Sequence, residues 1–280
     1  METDVHPAVG EFLPRLLDGD EETVQEHWDL VREVVRNHEP ADVLAAATVW
    51  CNRPEPDVQA VGLDLLGDLG VNVPAARDQL LEAGRVLLYS SDCDVRWSLA
   101  LALGANSTDE RTTPLLLALM DDEDEDVRFR ATAGLSVQAD DEPAQGPVVD
   151  ALLGALDDPC AEVRDWAAFA LGVQRDVDTS QVRNALLSRL SDDEADTPGE
   201  AAVALARRGD PRVFDPLLER FSDPDVGNLW VEAAAELGDS RLLPALLHLK
   251  SSGWQDGDPR PGVLDEAIER CSAPTVTAEG

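Results

Sequence analysis

Apolar positions along this chain recur with a helical period. In three segments, Asp94-Val-Arg-Trp-Ser-Leu-Ala-Leu-Ala-Leu-Gly104, Asp126-Val-Arg-Phe-Arg-Ala-Thr-Ala-Gly-Leu-Ser136 and Glu162-Val-Arg-Asp-Trp-Ala-Ala-Phe-Ala-Leu-Gly172, an acidic residue precedes Val-Arg and a Leu follows the Val by eight positions. A helix turns about 100 degrees per residue, so the Val and the residues four, seven and eight further on share one stripe. In the third segment that stripe is Val163, Ala167, Ala170 and Leu171, with small residues that let another helix come close. The anchors Val95, Val127 and Val163 lie 32 and 36 residues apart, and Leu171, Leu205 and Leu237 continue at 34 and 32. Asp57-Val58 with Leu66-Gly67 is a weaker copy upstream. Gly104, Gly172 and Gly238 are expected to end their helices in the left-handed conformation that glycine adopts most cheaply.

A second phrase alternates with the first: Thr113-Pro-Leu-Leu-Leu-Ala-Leu119, Pro147-Val-Val-Asp-Ala-Leu-Leu153, Val213-Phe-Asp-Pro-Leu-Leu218 and Leu242-Leu-Pro-Ala-Leu-Leu247. Proline near the first turn and leucines at i, i+3 and i+4 predict a second amphipathic helix. Asp158-Pro159, Asp210-Pro211 and Asp223-Pro224 supply turns. The unit is thus helix, turn, helix, of about 34 residues, and because a lone pair cannot bury both apolar sides, the copies must stack. The predicted fold is all-α, a right-handed α-α superhelix of about six to seven helix pairs. It divides into an N-terminal helical cap over 1–40, a solenoid over 41–250, and a capping helix with a disordered tail over 251–280.

The phrase acidic-x-Val-Arg-x-x-Ala-x-x-Ala-Leu-Gly resembles the HEAT-repeat family in its short form, the phycobilisome-lyase-type repeats, over roughly Val43 to Lys250. That resemblance implies that the Val-Arg helix lines a concave side and that Arg96, Arg128 and Arg164 form a structural ladder with acids of neighbouring repeats. The last two copies lack the Val-Arg pair. The stretches Val163-Arg-Asp-Trp-Ala-Ala-Phe-Ala170 and Glu232-Ala-Ala-Ala-Glu-Leu-Gly-Asp-Ser-Arg-Leu-Leu-Pro244 look like small bacterial HEAT-repeat proteins of the Rhs-toxin immunity type.

Composition narrows the function. With 44% hydrophobic but only 4% aromatic residues, Ala, Leu and Val must do the packing. The 57 acidic against 22 basic residues leave a formal charge of −35, which repels phosphate backbones and anionic lipid and steers a basic protein inward. A host with an acidic proteome accounts for the charge equally well. Cys51, Cys93, Cys160 and Cys271 stand singly, without metal or redox spacing. Neither a basic leader nor a run of about 20 apolar residues is present, so the expected compartment is the cytoplasm.

Candidate chemistry is sparse. His6, His27, His38 and His248 are too scattered to converge. The His38-Glu39 pair is a single copy of a motif that the HEAT-fold deoxyhypusine hydroxylase, similar in architecture, uses several times to build its di-iron site. Glycine-rich phosphate loops and nucleophile motifs are missing. The run Asp121-Asp-Glu-Asp-Glu-Asp126 lacks the glycine and ligand alternation of a calcium loop and reads as a solvated turn offering carboxylates to a helix N-terminus. No catalytic residue, metal or cofactor is expected, and the bilin-lyase activity implied by the family's name is the enzymatic alternative. Offsets +2, +3 and +6, opposite the core stripe, select Trp97, Leu101, Phe129, Arg130, Asp165, Trp166 and Phe169 as a partner-binding groove, because Trp, Phe and Arg are the usual anchors of protein interfaces. Packing of Trp166 and Phe169 between repeats is the competing structural role. The expected protein is a monomeric scaffold for a protein partner, with neutralisation of a basic toxin as the narrower alternative.

Overall fold

A computed structural model describes residues 7–17, 24–136, 146–173, 177–193, 196–223, 226–254 and 262–273. His6, Pro224 and the expected tail beyond residue 273 lie outside the described residues. Among those described, the regular elements are all helical. They fall into two compact units, Met1–Gln138 and Ala139–Gly280.

The first unit holds α1 (Pro7–Gly10), α2 (Leu13–Leu17), α3 (Val24–Asn37), α4 (Pro40–Cys51), α5 (Pro56–Gly70), α6 (Pro74–Leu87), α7 (Cys93–Ala105), α8 (Thr113–Leu119) and α9 (Glu125–Ser136). Helices α4, α5, α7 and α9 pack side by side, and α6 and α8 lie against successive members of that row. The second unit repeats the plan with α10 (Pro147–Ala155), α11 (Ala161–Val173), α12 (Ser180–Arg189), α13 (Thr197–Arg207), α14 (Phe214–Arg220), α15 (Asn228–Leu237), α16 (Leu243–Ser251) and α17 (Val263–Ser272). There α11, α13, α15 and α17 form the row, each backed by the helix before it.

The stripe drawn from the sequence is the core. Val95, Leu99 and Leu103, then Val127, Ala131 and Leu135, then Val163, Ala167, Ala170 and Leu171 are all buried. Local signals set the helix starts. Asp92 accepts hydrogen bonds from the amides of Asp94 and Val95, and Asp124 does the same for Asp126 and Val127, so the acidic run does cap a helix. In three copies the turn before the second helix is Asp-x-Arg: Asp109, Asp210 and Asp239 each bind both the backbone amide and the guanidinium of the Arg two residues on. Proline occupies the first turn of α4, α5, α6, α8, α10, α13 and α16, where its missing N–H costs nothing.

One sequence expectation needs correction. Only Gly238 of the three proposed stop glycines has a positive φ, at 61°. Gly104 and Gly172 sit inside α7 and α11 and serve helix contact instead. A Cβ on Gly104 would lie 3.0 Å from the Cα of Gly134 on α9, and one on Gly172 would lie 3.3 Å from the Cβ of Ala204 on α13. Gly104→Ala is therefore expected to destabilise by about 1–3 kcal/mol through overpacking. Gly154→Ala, where an added Cβ meets nothing within 4 Å, should instead stabilise by about 0.5–1 kcal/mol. Denaturant midpoints of the two variants moving in the same direction would contradict this.

Polar side chains fasten successive row helices. Asn106, just past α7, donates to the carbonyls of Gly67 on α5 and Ala102, both at 2.9 Å. Arg208, in the same place after α13, donates to the carbonyls of Leu171 on α11, Val177 and Ala204. Both are buried, at 1% and 8% exposure, and apart from the loop carbonyl of Val177 their acceptors are helix-end carbonyls left open by the end of their own helix.

Candidate functional site

Two of the expected ladder arginines, Arg96 and Arg164, reach the turn before the next row helix. Arg96 of α7 makes a two-pronged bond to Asp122, at 2.6 and 2.9 Å, in the turn leading into α9. Arg164 of α11 does the same with Asp192 before α13, at 2.9 and 2.8 Å. Each also holds a carbonyl of its own leading turn, Ser90 and Asp158 respectively. Arg128 makes the equivalent own-turn bonds to the carbonyls of Asp122 and Glu123. Burial pushes the Asp122 carboxyl up, but the bonds from Arg96 and from the Asp124 amide outweigh it and hold the group below the usual range. Where the Val-Arg pair is missing, a different chain of charges takes over: Arg207 bonds Glu232 and Glu236 of α15, and Arg270 of α17 bonds Glu236.

The seven groove residues fall in two groups. In the first unit the Arg130 guanidinium lies 4.9 Å from the ring centroids of both Trp97 and Phe129, a cation held against two aromatic faces. All three side chains, with Leu101 one turn beyond Trp97, are half-buried rather than sealed inside. Burial lowers the Arg130 pKa, with Asp126 opposing, and its buried Nε has no hydrogen-bond partner. In the second unit Trp166 and Phe169 form an edge-to-face pair at 5.4 Å, and Phe169 remains 37% exposed. Asp165 is half-buried on the same helix.

Sequence reasoning missed Glu200. It sits on α13 at the offset that Arg130 occupies on α9 and Trp166 on α11. Burial, and then the neighbouring charges of Asp165 and Glu232, push its carboxyl up to about 7, with Arg207 opposing. No motif marks it, because the groups that perturb it come from helices about 30 residues away in either direction.

Among the described residues no group of three or more His, Cys, Asp or Glu side chains is placed to hold a metal ion, and no helix is long and apolar enough to cross a membrane. Burial raises the Cys51 thiol to about 12 and that of Cys271 to about 11, which leaves both as inert packing groups.

Comparison with known proteins agrees with this architecture. Protein YibA of Escherichia coli K12 is 36% identical over 123 residues, covering 44% of this chain and 42% of the relative, so the match spans less than half of that protein's length. The X-ray structure of E. coli YibA superposes with a TM-score of 0.71 at 20% identity, covering 96% of this chain and 98% of the other. The CpcE–CpcF complex of phycocyanin lyase from Nostoc sp. PCC7120 superposes with a TM-score of 0.51 at 16% identity, over 83% of this chain and 94% of that chain, a likeness of fold alone. The family described as HEAT repeats matches residues 41–136 and 149–230. With more than half of its length matched and Val-Arg helices stacked as that pattern implies, this chain belongs to the HEAT-repeat family.

Proposed function

We propose that this protein is a non-catalytic scaffold that docks a partner protein on the exposed face of its row helices. The contacts would come from Trp97, Leu101, Phe129 and Arg130 in the first unit and from Asp165, Trp166 and Phe169 in the second. The observation that carries the reading is the Trp97–Arg130–Phe129 cluster. It places scarce aromatic side chains on a surface where the core stripe does not need them, and it holds them rigid before any partner arrives, which reduces the entropy lost on binding. The scaffold acts in the cytoplasm as a monomer and needs no cofactor.

A partner identified by affinity capture from the native host, then purified, supplies the test. Trp97→Ala combined with Phe129→Ala is expected to weaken its binding at least tenfold, about 1.4 kcal/mol or more, while circular dichroism and melting stay near those of the parent. Unfolding of the double variant would make these residues core, and undiminished binding would move the interface elsewhere. Neutralisation of a basic toxin is the narrower form of the same reading, supported by the charge of −35. It requires a toxin reading frame beside the gene, and a metabolic operon there would count against it.

A further inference from the structure

We infer that the face of the second unit formed by α11, α13 and α15 receives an arginine-bearing segment of the partner protein, with the guanidinium seated between the exposed ring of Phe169 and the carboxylate of Glu200. The inference rests on the docking reading above and specifies the chemistry of its second half.

In the first unit the aromatic surface is covered by the chain's own cation, Arg130, at the third offset of α9. In the second unit the third offset of α13 carries Glu200, so the position that supplies a cation in one unit supplies an anion in the other. The Glu200 side chain makes no hydrogen bond or ion pair with the described residues. Its charged surroundings are Asp165 on α11, Asp196 and Arg207 on α13, and Glu232 on α15. Arg207 is the cation among them, and its guanidinium is already committed to Glu232 and Glu236. On α12, packed against α13, Arg183 and Arg189 are matched to Asp178, Asp210, Asp157 and Asp192. Among the described residues the Glu200 carboxylate is therefore left without a cation of its own. Arginine suits it better than lysine, because the chain repeatedly stacks guanidinium groups on rings, at Phe214 and Trp230 as well as at Trp97 and Phe129. The net charge of −35 draws such a segment in.

A nona-arginine peptide serves as the probe, in fluorescence anisotropy at about 150 mM salt, near the physiological ionic strength, with the full-length protein. Three variants are compared: Glu200→Gln and Phe169→Ala at the site, and Asp150→Asn, an exposed position on α10, as a control for bulk charge. At pH 8 Glu200→Gln is expected to weaken binding about tenfold and Phe169→Ala about threefold, against less than about twofold for the control. Because the Glu200 carboxyl titrates near 7, the parent protein should bind several-fold more tightly at pH 8 than at pH 6, and Glu200→Gln should lose that dependence. Equal effects of Glu200→Gln and Asp150→Asn, or a parent affinity that does not change with pH, overturn the inference and leave only nonspecific attraction. Trp97→Ala with Phe129→Ala should leave peptide binding unchanged, so failure of the first-unit docking surface and failure of this site are separately visible.

Discussion

Replacing Asp122 by Ala is expected to destabilise the protein by about 3–5 kcal/mol, a drop in melting temperature on the order of 10 °C. Both partners of the Arg96–Asp122 pair have side chains only 8% exposed. Removing the acid strands a guanidinium that cannot deprotonate, with Glu123 as the remaining nearby carboxylate at 3.7 Å and 91% exposed. An exposed ion pair is worth only about 0–1 kcal/mol, so desolvation of the orphaned charge decides the outcome. The double replacement Arg96→Met with Asp122→Leu removes both charges and should recover most of the loss. If Asp122→Ala and the double variant melt together, the pair is not acting as a desolvated unit. Surface pairs such as Arg85–Glu82, at 68% and 70% exposure, give the contrast. Their loss should be barely measurable.

Glu200→Gln should do the opposite and stabilise, in a pH-dependent way. The native carboxyl titrates near 7 and the ordinary value is 4.5, so below about 4.5 it is protonated in both states and adds no cost. As pH rises through the window from 4.5 to 7, the unfolded state releases its proton first, and the native state is penalised for holding a carboxylate among Asp165 and Glu232. Above 7 the full cost applies. Each tenfold change in acidity corresponds to about 1.4 kcal/mol, and after allowing for solvent reaching the partly exposed carboxyl the penalty is on the order of 2 kcal/mol. Denaturant unfolding at pH 5 and pH 8 measures it: the variant should exceed the parent by that amount at pH 8 and by a few tenths at pH 5. A gain of equal size at both pH values would mean that the substituted amide packs better for reasons unrelated to charge.

How much of this was legible in the sequence depended on distance along the chain. The Val-Arg helices and the leucine-rich second helices were readable because their information lies within one or two helical turns. Helices α6 and α12 carry no proline-leucine phrase of the same register, although Leu80 and Leu81, and Val182 and Leu186, bury them as surely as the others. The arginine slot was visible, yet its acids were not, since Asp122 and Asp192 lie 26 and 28 residues further on. Gly104 and Gly172 look like stops in the sequence because each closes its phrase. Their actual role depends on what stands opposite, Gly134 in one case and Ala204 in the other, and no pattern within a single copy states that. The candidate site divides the same way. Aromatic residues opposite a core stripe can be picked out by offset, whereas Glu200 becomes unusual only when three helices gather their carboxylates around it.

The bonds made by Asn106 and Arg208 bear on how such a chain can lengthen or shorten. Each side chain belongs to one helix pair but satisfies carbonyls at the end of the preceding row helix. Excising the pair that carries Asn106 would leave the Gly67 carbonyl without its donor, and grafting that pair elsewhere would deliver a buried amide with nothing to receive it. Viable duplications or deletions should therefore begin and end so that donor and acceptor travel together, and the smallest portable segment of this architecture is longer than its visible repeat.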